Sequence, residues 1–317
     1  MHKNVLPEKV NSTMQSQSKP TIRVIAFPGI QNLPHFAALT QGYYDQRQIH
    51  VDLHYTQSSE EQRTGLANHL FDLAHSAVDN ALEMVLHSKL DIKIVVGLDQ
   101  AFNQLVTRRG IIQYKDLIGK TLGVDAPDTA FALVAFEMLK LHGIQPGQYE
   151  VLAVGATAHR LEALKNGSID FSLMTLPFNL LAKESGLSFL DRPFDTIGTY
   201  QSTGGFVHHQ WAKDHASNLV NYLAAYISGL RWALNPINQI QVIGLIEKHL
   251  KLHNDLAKAC YAQVTHPVTG FFKDAQLSHE GMLKVIELRQ KFENSTCNYT
   301  VDRFYDETFY QRAIRLI

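Results

Sequence analysis

TIRVIAFPGIQNLPHFAALTQGYYDQRQIHVDLHYT (21–56) reads as strand, helix, strand. TIRVIAF (21–27) is a β-rich run that breaks at Pro28-Gly29. In PHFAALTQGYYDQRQ (34–48), Phe36, Leu39 and Tyr43 recur at i, i+3 and i+7, which predicts one helix with a single apolar face. In IHVDLHYT (49–56), Ile49, Val51, Leu53 and Tyr55 alternate with polar residues, the period of a half-buried strand. Outward from this unit the alternation continues: a helix at 58–69, a strand FDLAHSAV (71–78), a helix at 81–88 and a strand IKIVVGL (92–98). Short connections between alternating strands and helices predict a mostly parallel sheet covered by helices.

The order then repeats. QLVTRRG (104–110) is a strand, and YKDLIGKTLGVDA (114–126) holds a short helix and another strand. A helix over 129–143 follows, with Asp128 as its expected N-cap and Gly143 as its stop. YEVLAVG (149–155), a helix over 157–166 and SIDFSLMT (168–175) complete this half. GLANHLFDLAHSAV (65–78) and ALKNGSIDFSLMT (163–175) resemble each other, a weak internal repeat that predicts two similar lobes. Beyond about 211 the pattern is helical, at 218–234, 238–251, 253–264 and 279–292.

Composition excludes several classes. Apolar residues are 45% and charged residues 19% of the 317, a globular balance. With 29 Lys plus Arg against 30 Asp plus Glu, the net charge is −1, which gives nucleic acid no electrostatic footing. No apolar run reaches the ~18–20 residues of a membrane span. The two cysteines, Cys260 and Cys297, lack metal spacing, so neither a disulfide framework nor a zinc site is expected. Residues 1–20 are polar and lack the apolar stretch of an export signal, which predicts a flexible tail. The chain is cytoplasmic if Met1 is the native start.

Four segments, in order, resemble the solute-binding proteins of nitrate/sulfonate/taurine and thiamine-pyrimidine-precursor ABC transporters. They are NLPHFAALTQGYYDQRQIHVDL (32–53), GLANHLFDLAHSAVDNAL (65–82), YKDLIGKTLGV (114–124) and LEALKNGSIDFSLMTLP (161–177). The resemblance implies an α/β, two-lobed type II periplasmic-binding-protein-like fold. Mostly parallel sheets would be flanked by helices, with a helical C-terminal part. It implies lobe I over 21–106 and 205–317, lobe II over 107–204, and crossing strands near 103–110 and 198–207. A small molecule would be captured between the lobes by hinge closure and presented to a membrane permease with its ATPase. A periplasmic location, a monomeric state and no cofactor are also implied.

In open α/β sheets ligands sit at the carboxyl ends of strands, beside helix N-termini. Those positions select Pro28, Gly29, Asn32, His35 and Phe36 after the first strand, and Ser76, Asp79 and Asn80 after FDLAHSAV. In the second half they select Asp125, Asp128, Thr129 and Thr157, then Met174, Thr175 and Phe178. The return crossing adds Gly204, Gly205 and Phe206, beside Ser202 and Thr203. Bland roles compete: the glycines as turn residues, Asp79 and Asn80 as caps, His35 as a packed imidazole. The pair His208-His209 would face opposite sides of a strand and makes no metal site. Asp125 and Asp128 occupy a turn where anion-binding relatives carry small residues, and no arginine stands at a selected position, although Arg108, Arg109 and Arg160 are close in sequence. The expected ligand is therefore neutral or cationic, including a heteroaromatic one.

The alternative is an enzyme of the same fold, a lyase or decarboxylase, with His35, His75 and Asp79 as its general acid/base candidates. Pyrimidine synthases of thiamine biosynthesis, which this fold also resembles, hold pyridoxal phosphate on a lysine and consume a histidine. His75 and Asp79 stand where they have that lysine and histidine, and YQSTGGF (200–206) lacks the cysteines of their loop. Sulfinate desulfinases need a cleft cysteine, and both cysteines here fall in the C-terminal helices.

Overall fold

A computed structural model describes residues 19–100 and 102–317; of the expected tail over 1–20, residues 1–18 lie outside the described residues. The strands are β1 (Thr21–Ala26), β2 (His50–Tyr55), β3 (Leu73–Ala77), β4 (Ile92–Val96) and β5 (Gln104–Thr107). They continue with β6 (Thr121–Val124), β7 (Glu150–Ala153), β8 (Phe171–Met174), β9 (Ser188–Phe189) and β10 (Thr203–His208). Two five-stranded sheets result, ordered β2-β1-β3-β10-β4 and β7-β6-β8-β5-β9. Every strand of the second sheet falls between β4 and β10 in sequence, so the second lobe is inserted in the first. The expected boundaries at 106/107 and 204/205 fall inside β5 and β10.

Pairing follows the strand–helix alternation. β1 runs parallel to β2 and β3, and β6 runs parallel to β7 and β8. β5 is antiparallel to β8 and β9, and β10 lies antiparallel between β3 and β4. A parallel neighbour needs a crossover helix, whereas these two strands enter straight from the opposite lobe.

The single helix expected over 34–48 is two, Leu33–Thr40 and Tyr43–Gln46. Gly42 between them has φ 71°, a left-handed conformation that costs glycine little and stops the first helix. Apolar periodicity does not see such a break, because the i, i+3, i+7 spacing carries across it.

The long helix Ala216–Leu234 packs on Leu33–Thr40 over one face of the first sheet. The approach is close: a Cβ at Gly229 would lie 2.4 Å from the Pro34 carbonyl and 2.7 Å from the Ala38 nitrogen. A second core joins the helices Asp79–Leu86 and His279–Glu293 to the lobe II helix Ala130–Leu141, so the C-terminal part braces both lobes. Lys291 and Glu137 reinforce that brace with an ion pair of 2.6 Å. Among the described residues no helix is long and apolar enough to cross a membrane.

Candidate functional site

A cleft with about 920 Å³ of atom-free space lies between the lobes. Its walls are built by strand ends. Phe27, Pro28, Ile30 and Gln31 follow β1, Ser76 and Ala77 close β3, and Asn80 opens the helix Asp79–Leu86. Ser202 and Thr203 stand where β10 begins, and Asp99, Phe102 and Asn103 occupy the crossing between the lobes. Lobe II contributes Asp125 and Thr129 after β6, Phe131 in the next helix, Thr157 and Arg160 after β7, and Thr175 and Phe178 after β8. The chain thus alternates hydroxyls and amides with four phenylalanines around the space.

Of the sequence-selected residues, the structure brings Pro28, Ser76, Asn80, Asp125, Thr129, Thr157, Thr175 and Phe178 to this cleft. Asn80 donates to Ser76 Oγ at 3.1 Å, and Ser76 donates to Gln62 Oε1 at 2.5 Å. Thr175 donates to Thr157 Oγ1 at 3.4 Å. Asp125 reaches across the cleft: its Oδ2 accepts from the Ser59 backbone N–H at 3.2 Å and from Ser59 Oγ at 2.6 Å. The carboxylate therefore meets the N-terminal end of the helix Ser59–Ala67, where it complements the helix dipole. Beside it, Ala156 N–H donates to the Gln57 carbonyl at 3.1 Å, a second bond between the lobes.

The other selected residues do not line the cleft. Asn32 donates to the carbonyls of Phe27 and Gly29 and fixes that turn from behind. Phe36 stacks on His249 at 4.1 Å between ring centroids. Met174 and Phe206 are fully buried in separate cores. Gly204 and Gly205 serve strand packing: a Cβ on either would come within 3 Å of Val96. Asp128 does not cap the following helix, whose N-cap is Thr129; it faces Arg63 at 3.2 Å. Asp79, in the first turn of its helix, is paired with Arg289 in a bond of two buried charges. Both expectations failed because a tertiary cation outcompetes a local N–H for the carboxylate.

His35 and His75 lie together behind the first sheet. His35 Nδ1 is bonded to the Tyr44 hydroxyl at 2.9 Å, and His75 Nε2 to the Tyr222 hydroxyl at 2.8 Å. Burial pushes the His35 imidazole down to about 3 and His75 well below its ordinary range, with His35 adding to the second shift. These are neutral core imidazoles away from the cleft, so the acid/base trio His35, His75 and Asp79 is not assembled there. No lysine lines the cleft among the described residues, so its walls do not fit pyridoxal phosphate on a lysine. Cys260 is buried, and burial raises its thiol to about 12.

Sequence reasoning missed Gln31, Ser59, Asp99, Phe102, Asn103, Phe131 and Arg160. Asp99 was within reach of the rule already applied, since it follows β4. Arg160 stands in the first turn of the helix Thr157–Asn166, three residues past Thr157, the last position selected there. No arginine stood at a selected position, yet Arg160, noted only as close in sequence, lines the cleft. Arg108 pairs with Asp170 and Arg109 donates to the Gly186 carbonyl, both at the surface.

A family model described as NMT1/THI5 like matches residues 30–238. No curated protein matches the sequence significantly. Among solved structures, a ligand-binding component of an ABC-type import system from Staphylococcus aureus, with zinc bound, superposes with a TM-score of 0.78 at 15% identity; the match covers 93% of this chain and 99% of that one. The periplasmic nitrate-binding protein NrtA from Synechocystis PCC 6803 gives 0.78 at 11% identity, covering 94% and 89%. The periplasmic aliphatic sulphonate-binding protein SsuA from Escherichia coli gives 0.71 at 13% identity, covering 91% and 92%. At such identities the likeness establishes a shared fold, with both lobes present.

Proposed function

The chain belongs to the NMT1/THI5-like family, and on that premise we propose that it is a solute-binding protein, which captures a small organic molecule between its lobes for an ABC-type importer. The observation that carries this reading is the cleft itself. Its walls come from both lobes, and they supply hydrogen-bonding groups and phenylalanines, with the Ser59 hydroxyl and Asp125 carboxylate joined to each other across the lobes. The interlobe bonds from Asp125 to Ser59 and from Ala156 to Gln57 suit a closed state that opens by hinge motion. One structural relative named as a ligand-binding component of an ABC-type import system and two named as periplasmic binding proteins are consistent with this use of the fold.

The protein would act as a monomer and present its closed form to a membrane permease and its ATPase. Lobe I would comprise 21–106 and 205–317, and lobe II 107–204. The eight selected residues that reach the cleft would contact the ligand, an organic molecule with an aromatic body. Native mass spectrometry of gently purified protein should find one small molecule per chain. Conversion of that molecule to a species of different mass during incubation would overturn a binding role in favour of catalysis.

A further inference from the structure

Several groups on the cleft wall spend their hydrogens inside the protein. Gln31 Nε2 donates to the Phe27 carbonyl at 2.9 Å, Ser59 Oγ to Asp125 at 2.6 Å and Thr129 Oγ1 to the Ala126 carbonyl at 2.7 Å. Gln31, Ser59 and Thr129 all line the cleft, and each keeps oxygen lone pairs to offer. The direction of these bonds is most closely determined in lobe I, around Gln62.

Gln62 is fully buried in the helix Ser59–Ala67 and stands behind the cleft wall. Its Nε2 lies 3.3 Å from the carbonyl oxygens of Ile25 in β1 and His75 in β3. A carbonyl only accepts, so the NH2 end of this amide faces the two strands and Oε1 faces Ser76. Ser76 must then donate, and it does so at 2.5 Å. The Ala77 carbonyl, another acceptor near its hydroxyl, is farther away at 3.5 Å. With its hydrogen committed to Gln62, Ser76 Oγ accepts from Asn80 Nδ2 at 3.1 Å. That bond orients the Asn80 amide in turn: its nitrogen is toward Ser76, and Oδ1 is the end Ser76 does not hold. One buried side chain thus directs two residues of the cleft wall, Ser76 and Asn80.

We propose that Gln62 is a positioning residue that sets the hydrogen-bond polarity of the lobe I wall, where Asn80 offers Oδ1 to an N–H group of the ligand. This rests on reading the cleft as a solute site and adds what that site selects for. An acceptor covered by a ligand without a donor gives up its water and gets nothing in return, so such a ligand is rejected. The lone pairs left on Gln31, Ser59 and Thr129 favour donors as well.

The test is NMR titration of the intact protein, freed of any retained molecule, with aniline against toluene and indole against benzofuran. Within each pair the shape is shared, and only the first member carries an N–H. That member should bind roughly fivefold more tightly, the worth of one neutral hydrogen bond. In Gln62→Met the ratio should fall to about one, because Ser76 is released and the Asn80 amide can turn either way. Ser76→Ala, which breaks the relay with Gln62 in place, should do the same. Gln62→Glu still accepts from Ser76 and should keep the ratio, although it buries a charge; a merely structural role for Gln62 predicts that Glu is tolerated worse than Met and that neither moves the ratio. Equal binding within both pairs in wild type would overturn the polarity assignment and leave the solute-binding reading standing. Saturable binding of none of the four, with a retained molecule still found by native mass spectrometry, would do the same; the absence of both would overturn the two readings together. The wild-type ratios and Ser76→Ala stand as tests even where the Gln62 variants do not fold.

Discussion

Replacing His35 by Gln should make the protein less sensitive to acid, by an amount the burial of the imidazole sets. His35 faces Tyr44, Tyr222, Tyr226 and His75, with its ring centroid 4.9 Å from those of His75 and Tyr226. Its pKa falls from 6.5 to about 3 in the fold because the charged form loses its water. The unfolded chain therefore binds a proton that the folded chain refuses. Stability from this group is complete above about pH 6.5 and is lost as pH falls toward about 3. At about pH 5 the cost is roughly 1.5 units at about 1.36 kcal/mol each, or about 2 kcal/mol. That is a large share of a total stability of about 5–15 kcal/mol. His75 acts in the same direction.

The assay is urea unfolding of wild type and His35→Gln at about pH 7 and about pH 5, with stabilities extrapolated to water. Carboxylates and the other histidines titrate in both proteins and their effects cancel in the comparison, except that removing His35 also eases the downward shift of His75, which acts in the same direction. The loss on acidification should be smaller in the variant by about 2 kcal/mol. Equal losses in the two proteins would refute the argument, because they would mean that the folded protein protonates His35 as readily as the unfolded chain does.

Three further outcomes follow from the packing. Arg289→Met should destabilise by about 3–5 kcal/mol, since it strands the Asp79 carboxylate in the core; the double variant with Asp79→Leu should recover most of this in thermal unfolding. Gly229→Val should cost about 1–3 kcal/mol by pressing a side chain on the Pro34 and Ala38 backbone, and a midpoint within error of wild type would contradict the close helix crossing. Asp125→Ala removes the bonds to Ser59, whose charge-assisted worth is about 1.5–3 kcal/mol, so small-angle scattering should register a larger population of open molecules.

The alternation of strand and helix in 21–98 and again in 104–175 was legible because periodicity is a local property of the chain, and it led to both sheets. The cleft was half legible. Ser76, Asn80, Thr129, Thr157 and Thr175 follow strand ends, and strand ends are where such folds put their ligands. Phe131 and Arg160 carry no such signal, because their place in the wall depends on how each helix turns after its first residues.

The sequence by itself determined two α/β lobes and the neighbourhood of the space between them. Tertiary structure alone decided which charges that space presents. A carboxylate or guanidinium takes the partner with the best geometry, whatever its distance along the chain. Thus Asp79 goes to Arg289, Asp128 to Arg63 and Asp125 to Ser59, while Arg160 lines the cleft without a counterion at ion-pair distance among the described residues. A turn that reads as acidic in sequence has, once folded, both of its carboxylates engaged by partners in the other lobe.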